Sequence, residues 1–131
     1  MIYIGGTMYK IIFSDIDRTL AVNGVITDEN IKAIRDYVSL GNKFVLVSGR
    51  TINYTSNISK KVGASNYIIC NNGSVVYDYL NKKIIYENKI KRETLLGIFN
   101  IAKKYDARCI FGGTDITYTN KIKYKDLELE I

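Results

Sequence analysis

Histidine is absent from this 131-residue chain. That excludes a Ser-His-Asp or Cys-His catalytic unit and any His-ligated zinc site within it. Acid–base work must then fall to carboxylates, Lys, Tyr or Cys. Only two cysteines occur, Cys70 and Cys109, far apart and with no secretory pattern in Met1–Ile12. They read as reduced, buried thiols of a cytoplasmic protein. No apolar run approaches the roughly 20 residues that span a bilayer, so no membrane partner is expected. Proline and tryptophan are also missing, a bias that codon composition explains as well as function does. No block of five or six basic residues argues for a nucleic-acid arm, and neither a GxxxxGK nor a GxGxxG loop is present.

What is there is an ordinary globular composition, 47% apolar and 24% charged, with a net charge of +6. The lysines are scattered, which suits a solvated surface first and an anionic ligand second.

The periodicity predicts β-α-β-α-β. Tyr9–Ser14 reads as a short buried strand around Ile11, Ile12 and Phe13. A helix follows Thr27, with Ile31, Ile34 and Val38 on one face and Gly41 at its end. Lys43–Val47 is a second strand, Thr51–Val62 a second helix stopped by Gly63, and Tyr67–Ile69 a third strand. Alternation of this kind predicts an α/β fold, a parallel sheet with helices on both faces. Each strand ends in a polar cluster: Asp15-Ile16-Asp17, Ser48-Gly49-Arg50 and Asn71-Asn72-Gly73. In open α/β sheets ligands bind beyond the carboxyl ends of the strands, so the three clusters should meet in one crevice. Beyond it, Ser74–Tyr79 and Lys83–Glu87 read as a hairpin, Glu93–Lys104 as a helix, and Arg108–Phe111 with Asp115–Thr119 as a second hairpin. A boundary near residue 88 divides a core, 1–88, from a second α+β piece, 89–131.

Two carboxylates at i and i+2 past a strand repel, so one is pushed toward its neutral form unless a cation neutralises the pair. A hard divalent ion such as Mg²⁺ suits their oxygens. A solvated turn is the plain alternative, and taken alone the Asp-x-Asp pair favours it.

The neighbouring motifs shift that balance. Asp15-Ile16-Asp17-Arg18-Thr19-Leu20 resembles the DxDxT signature of the haloacid dehalogenase (HAD) superfamily. Val45-Leu46-Val47-Ser48-Gly49-Arg50 resembles its second motif, and Asn71-Asn72-Gly73 the third-strand ending of its Cof-type subgroup. The resemblance runs from about Met8 onward and implies a HAD-like Rossmannoid core followed by the start of a small α+β cap near Lys91. It implies a Mg²⁺-dependent phosphatase acting on a small phosphorylated metabolite. Asp15 would be the nucleophile and a metal ligand. Asp17 would be the acid–base residue and a second metal ligand through its carbonyl. Thr19, bracing the catalytic loop, is grouped with the substrate side of the site. Ser48 and the Gly49 amide would hold phosphoryl oxygens, with Asn72 in support. Arg50 is divided evenly between a substrate contact and a surface cation.

Two departures stand out. Arg18 occupies a place where most relatives carry Gly, so a positive φ there would strain it; a substrate contact and a surface arginine both remain open. The resemblance also implies a later Lys and an acidic Gly-Asp-rich motif, and neither occurs before Ile131. On that pattern the Ile11–Phe13 strand becomes an exposed apolar edge. The expectation is a homodimer through that edge, cover by Lys121–Ile131, or a longer protein of which this is a piece. Met1–Thr7 reads as an extension ahead of Met8, with Gly5-Gly6 a turn. A catalytically impaired remnant that still binds phosphate is the alternative function. A response-regulator type of phosphoacceptor is disfavoured, because its acceptor Asp belongs on a later strand, where Ser48 and Asn71 stand.

Overall fold

The computed structural model describes residues 10–113 and 116–121. The Met1–Thr7 extension, the start of the first strand at Tyr9, the expected turn residue Thr114, the expected strand start Asp115 and the tail after Lys121 lie outside the described residues. By internal contacts the chain divides into two units, Met1–Glu87 and Asn88–Ile131.

The first unit is an α/β layer. In chain order it contains β1 (Ile11–Asp15), α1 (Asp28–Ser39), β2 (Lys43–Val47), α2 (Ile52–Val62), β3 (Tyr67–Cys70), β4 (Val75–Asp78) and β5 (Lys83–Glu87). The five strands form one sheet in the order β1-β2-β3-β4-β5. β1, β2 and β3 run parallel, whereas β4 and β5 return antiparallel as a hairpin.

Local chemistry sets the helix ends. Thr27 caps α1, its hydroxyl accepting from the Asn30 amide at 3.3 Å, an arrangement worth about 1 kcal/mol. Gly63 ends α2 in the left-handed conformation, φ 75°, where a Cβ would be strained. The inner face of α2 carries Thr55, Ser56 and Ser59, all buried. Thr55 and Ser59 hydroxyls donate to the Thr51 and Ser65 carbonyls, which satisfies two of these polar groups inside the layer.

The core lies between the sheet and these two helices: Phe44, Leu46, Ile68, Cys70 and Val75 from the strands against Ile34, Ile52 and Val62. Burial pushes the Cys70 thiol up from its ordinary pKa, with a hydrogen bond to Thr55 opposing. Both cysteines are free and buried.

Two features differ from the sequence reading. α1 and α2 pack on the same face of the sheet, so cover on both faces is not seen among the described residues of this unit. The reason is topological: the crossovers β1→β2 and β2→β3 advance in one direction, and two right-handed crossovers in one direction lie on one side. On the opposite face, Ile11, Phe13, Val45, Ile69 and Val76 line a concavity of about 390 Å³. The Ile11–Phe13 run is likewise not buried, against the periodicity but in line with the exposed edge expected from the motif pattern: Ile11 and Phe13 are 54% and 60% exposed. β1 is the sheet's outer strand, paired on one side only among the described residues.

The second unit contains α3 (Arg92–Lys104) and a two-stranded hairpin, β6 (Ile110–Gly112) and β7 (Thr117–Thr119). Among its described residues, Ala102 and Cys109 are buried apolar ones. The Asn120 side chain ties it together, accepting from the Cys109 amide at 2.8 Å and donating to the Ala107 carbonyl at 3.1 Å. No helix among the described residues is long and apolar enough to cross a membrane.

At the sheet end away from the polar clusters, Asp78 is buried and closes the β4–β5 turn. It accepts from the Asn81 side chain at 2.7 Å and from the Leu80 and Asn81 amides. Asn66, then Asn81, holds its carboxyl below the ordinary carboxylate pKa. A depressed folded-state pKa gives stability that is present above the unfolded pKa of about 3.9 and lost as pH falls through the folded value. Asp78→Ala should therefore lower Tm at pH 7, and the gap from wild type should narrow in melts below about pH 4. A gap that stays constant to pH 2 would show the charge is not the cause.

A second test concerns β1. Leu46→Ala, in the core, should cost about 2–5 kcal/mol in urea unfolding, and Ile11→Ala only about 0.5 kcal/mol. Equal losses would mean that the outer strand is covered in solution.

Candidate active site

The parallel register sets Asp15 at the end of β1 opposite Val47 at the end of β2, one residue before Ser48. Neighbouring strands are about 4.8 Å apart, so the Asp15 and Ser48 backbones sit on one rim. The third cluster joins them by main-chain bonds. Ser48 N–H donates to the Ile69 carbonyl at 2.9 Å, Asn71 N–H to Arg50 at 3.0 Å and Asn72 N–H to Ser48 at 3.3 Å. Asn71, Asn72 and Gly73 all take positive φ, 50°, 56° and 88°. Asn tolerates that region better than most residues do, and Gly freely.

After β1 the chain coils once around a single carbonyl. Ile16 C=O accepts from the Leu20 and Ala21 amides at 3.1 and 2.8 Å, with Ile16 and Leu20 anchored in the core. This coil brings Thr19 back over the strand end, where its hydroxyl donates to Asp15 Oδ2 at 3.2 Å. Thr19 is thus placed to orient the Asp15 carboxylate. The coil needs Arg18 at φ 64°, a left-handed backbone that costs a non-glycine residue about 1–2 kcal/mol.

The coil runs into a two-residue hairpin that the sequence reading missed. Val22 and Val25 exchange amide–carbonyl bonds, both at 3.0 Å, across Asn23 (φ 52°) and Gly24 (φ 77°). Asn-Gly between two β-branched residues is the strongest short-range hairpin signal, and it was available in the sequence.

Asp17 and Arg50 meet across the rim. Arg50 Nε donates to Asp17 Oδ2 at 3.2 Å and Nη2 to Oδ1 at 3.4 Å. The guanidinium also lies over the Tyr54 ring, 5.0 Å from its centroid. The pair with Asp17 raises the Arg50 pKa, burial working against it. Both side chains are about half exposed, so the pair contributes at most about 1 kcal/mol. It nevertheless supplies the cation that two adjacent carboxylates call for.

Ser48 is buried, and its Oγ accepts from the Arg50 amide at 3.2 Å. That bond fixes the oxygen and leaves its own proton to donate. Gly49 lies under Asn72: a Cβ there would sit 2.7 Å from Asn72 Oδ1. Thr51, the residue ahead of α2, makes no side-chain cap, so the first amides of that helix are available to an anion.

A concavity of about 510 Å³ opens beside the rim, lined by Asp17, Arg18, Ala21, Asn23, Gly24 and Arg50. Asp15, Ser48 and Asn72 are not among its lining residues. Asn23, Gly24 and Tyr54 are the site neighbours the sequence reading did not single out.

The model of the haloacid dehalogenase-like hydrolase family matches residues 12–130. This chain belongs to that family. A Buchnera aphidicola (subsp. Baizongia pistaciae) protein named "Putative phosphatase" is 38% identical over 93 residues, 67% of this chain and 34% of its own length. The 5-amino-6-(5-phospho-D-ribitylamino)uracil phosphatase YcsE of Bacillus subtilis is 31% identical over 87 residues, 63% of this chain and 35% of its own. A haloacid dehalogenase-like hydrolase of Bacteroides thetaiotaomicron has the same fold, with TM-score 0.76 at 21% identity, over 87% of this chain and 44% of that one. The matched part of the HAD-like chain spans about a third of the curated relatives named here.

The Gly49–Asn72 contact gives a direct test. Gly49→Ala should cost about 1–3 kcal/mol while moving the Asn72 side-chain amide in a ¹⁵N correlation spectrum. An unmoved Asn72 resonance would contradict this packing.

Proposed function

We propose that the chain carries the nucleophile and acid–base half of a Mg²⁺-dependent phosphatase that acts through an aspartyl-phosphate. The observation that carries this reading is the pairing of roles on one rim. Asp15 is held by Thr19 with one oxygen outside that bond, Asp17 is held by a cation, and Ser48 stands on the adjacent strand end.

The donors fit the metal. The Asp15 carboxylate is a hard oxygen ligand, and no described backbone amide reaches the Asp17 carbonyl. Mg²⁺ is commonly held by one or two carboxylates, with water and substrate phosphate filling its other positions. When bound, it would neutralise charge on the phosphoryl oxygens.

The chain's own residues supply the rest. Once Arg50 has moved to the phosphate, Asp17 takes a proton from solvent; Asp15 then attacks phosphorus as the ester P–O bond breaks, and Asp17 gives that proton to the leaving oxygen. Asp17 then takes a proton from water, whose oxygen attacks phosphorus, releasing orthophosphate and restoring Asp15. Ser48 Oγ–H and the Gly49 amide hold phosphoryl oxygens during both steps. Arg50 holds both Asp17 oxygens, so an incoming phosphate must draw Arg50 away before Asp17 can move a proton. That exchange makes Arg50 a substrate-side cation as well as a partner of Asp17. The relatives' names point to a phosphorylated metabolite as substrate, and an open rim beside a concavity suits a small one.

A second reading is favoured by one observation. Among the described residues no group of three potential metal-binding side chains converges. On that reading the chain binds phosphate without turning it over. Hydrolysis of p-nitrophenyl phosphate decides between them. We expect Mg²⁺-dependent turnover that falls about 10³-fold or more in Asp15→Asn, as loss of a nucleophile does. Tungstate binding without turnover would establish the second reading instead.

A further inference from the structure

We propose that Arg18 is a specificity-determining residue, and that the site takes phosphate esters whose organic part carries a second anionic group. This rests on the phosphatase reading for the position of the phosphoryl group, and it deepens that reading by naming a substrate class.

The concavity separates two functions. Its lining includes Asp17, the residue that would protonate the leaving oxygen, but not Asp15 or Ser48. It therefore receives the leaving group, while the phosphoryl group sits on the rim. The charge of that lining is uneven. Asp17 and Arg50 neutralise one another in a two-point pair. Arg18 lines the same space, and its guanidinium has no hydrogen bond or ion pair among the described residues. Among the described residues one positive charge without an ionic partner thus lines the place of the leaving group, with Asn23 as a polar residue of the same lining.

The backbone points the same way. Arg18 is held at φ 64° by its own amide, which donates to the Ala21 carbonyl at 2.8 Å. Glycine satisfies that conformation without strain. A long cation kept in a strained position at the mouth of a cavity is the kind of outlier that marks a ligand contact. Guanidinium pairs in two-point fashion with either carboxylate or phosphate, so the shared chemistry is a planar or tetrahedral oxyanion.

The test compares matched ligands by isothermal titration calorimetry, without added Mg²⁺ so that the esters are not consumed. One pair is 3-phosphoglycerate against glycerol 3-phosphate, where the second anion is a carboxylate. The other is fructose 1,6-bisphosphate against fructose 6-phosphate, where it is a phosphate. Wild type should favour the doubly anionic member of at least one pair by about fivefold, a modest factor because Arg18 is exposed. Whichever pair shows the preference identifies the oxyanion. The preference should fall to about twofold or less in Arg18→Gln, persist in Arg18→Lys, and shrink between about 0.05 and 0.5 M NaCl, as a solvent-screened charge contact does. Equal affinity within both pairs in wild type would overturn the proposal. So would a preference that survives Arg18→Gln, or a failure of all four esters to bind. Loss of aryl phosphate turnover with the preference intact would instead remove the phosphatase reading and leave the anion contact standing.

Discussion

The chemistry of this chain depends on the register between its first two strands. Asp15 lies opposite Val47, and that alignment brings the end of one strand and the serine after the other to a common rim. A one-residue slip would turn every β1 side chain to the other face, taking Asp15 from Thr19 and breaking the coil around the Ile16 carbonyl. Leu46, fully buried on β2, and Phe44 fix which face of that strand meets the helices. The core thus indirectly sets the position of the proposed nucleophile, although Asp15 itself is exposed.

Around that rim the structure balances charge locally. Asp15 is steadied by a neutral hydroxyl, Asp17 by a guanidinium that is itself placed over an aromatic ring. Neither contact is strong, since all of these groups face solvent. Weak contacts suit a site whose partners must be exchanged: a carboxylate locked in a buried pair would resist giving up its cation to a ligand. The firm part lies behind them, in the main-chain bonds that join Asn71 and Asn72 to Arg50 and Ser48.

Much of this was legible in the sequence, for identifiable reasons. β2 and the end of α2 stand where an apolar run and a C-terminal glycine put them. α1 begins after Thr27 because a hydroxyl there accepts from Asn30. The polar strand ends announced the site, since parallel strands gather their carboxyl ends on one side. Periodicity alone read β1 as buried, because an Ile-Ile-Phe run looks alike in a central strand and in an outer one; the exposed edge was expected only from the motif resemblance, which carries the neighbours that periodicity does not encode. Helices on both faces require the crossovers to reverse direction, which no local signal reports. The two-point grip of Arg50 on Asp17, 33 residues away in sequence, depends on how loops fold over a rim. The Asn23-Gly24 hairpin was readable and was passed over.

The order of the sheet, β1-β2-β3-β4-β5, bears on how the chain acquires its structure. Each of these five strands adjoins the one made just before it, so none of the five needs a distant stretch to find its described partner. Such nearest-neighbour wiring keeps sequence separations short, which favours rapid folding. A ribosome extruding this polypeptide could see the first α/β layer zip up in the order of synthesis, N-terminal portions first, with the signature carboxylates in place before the final hairpin emerges.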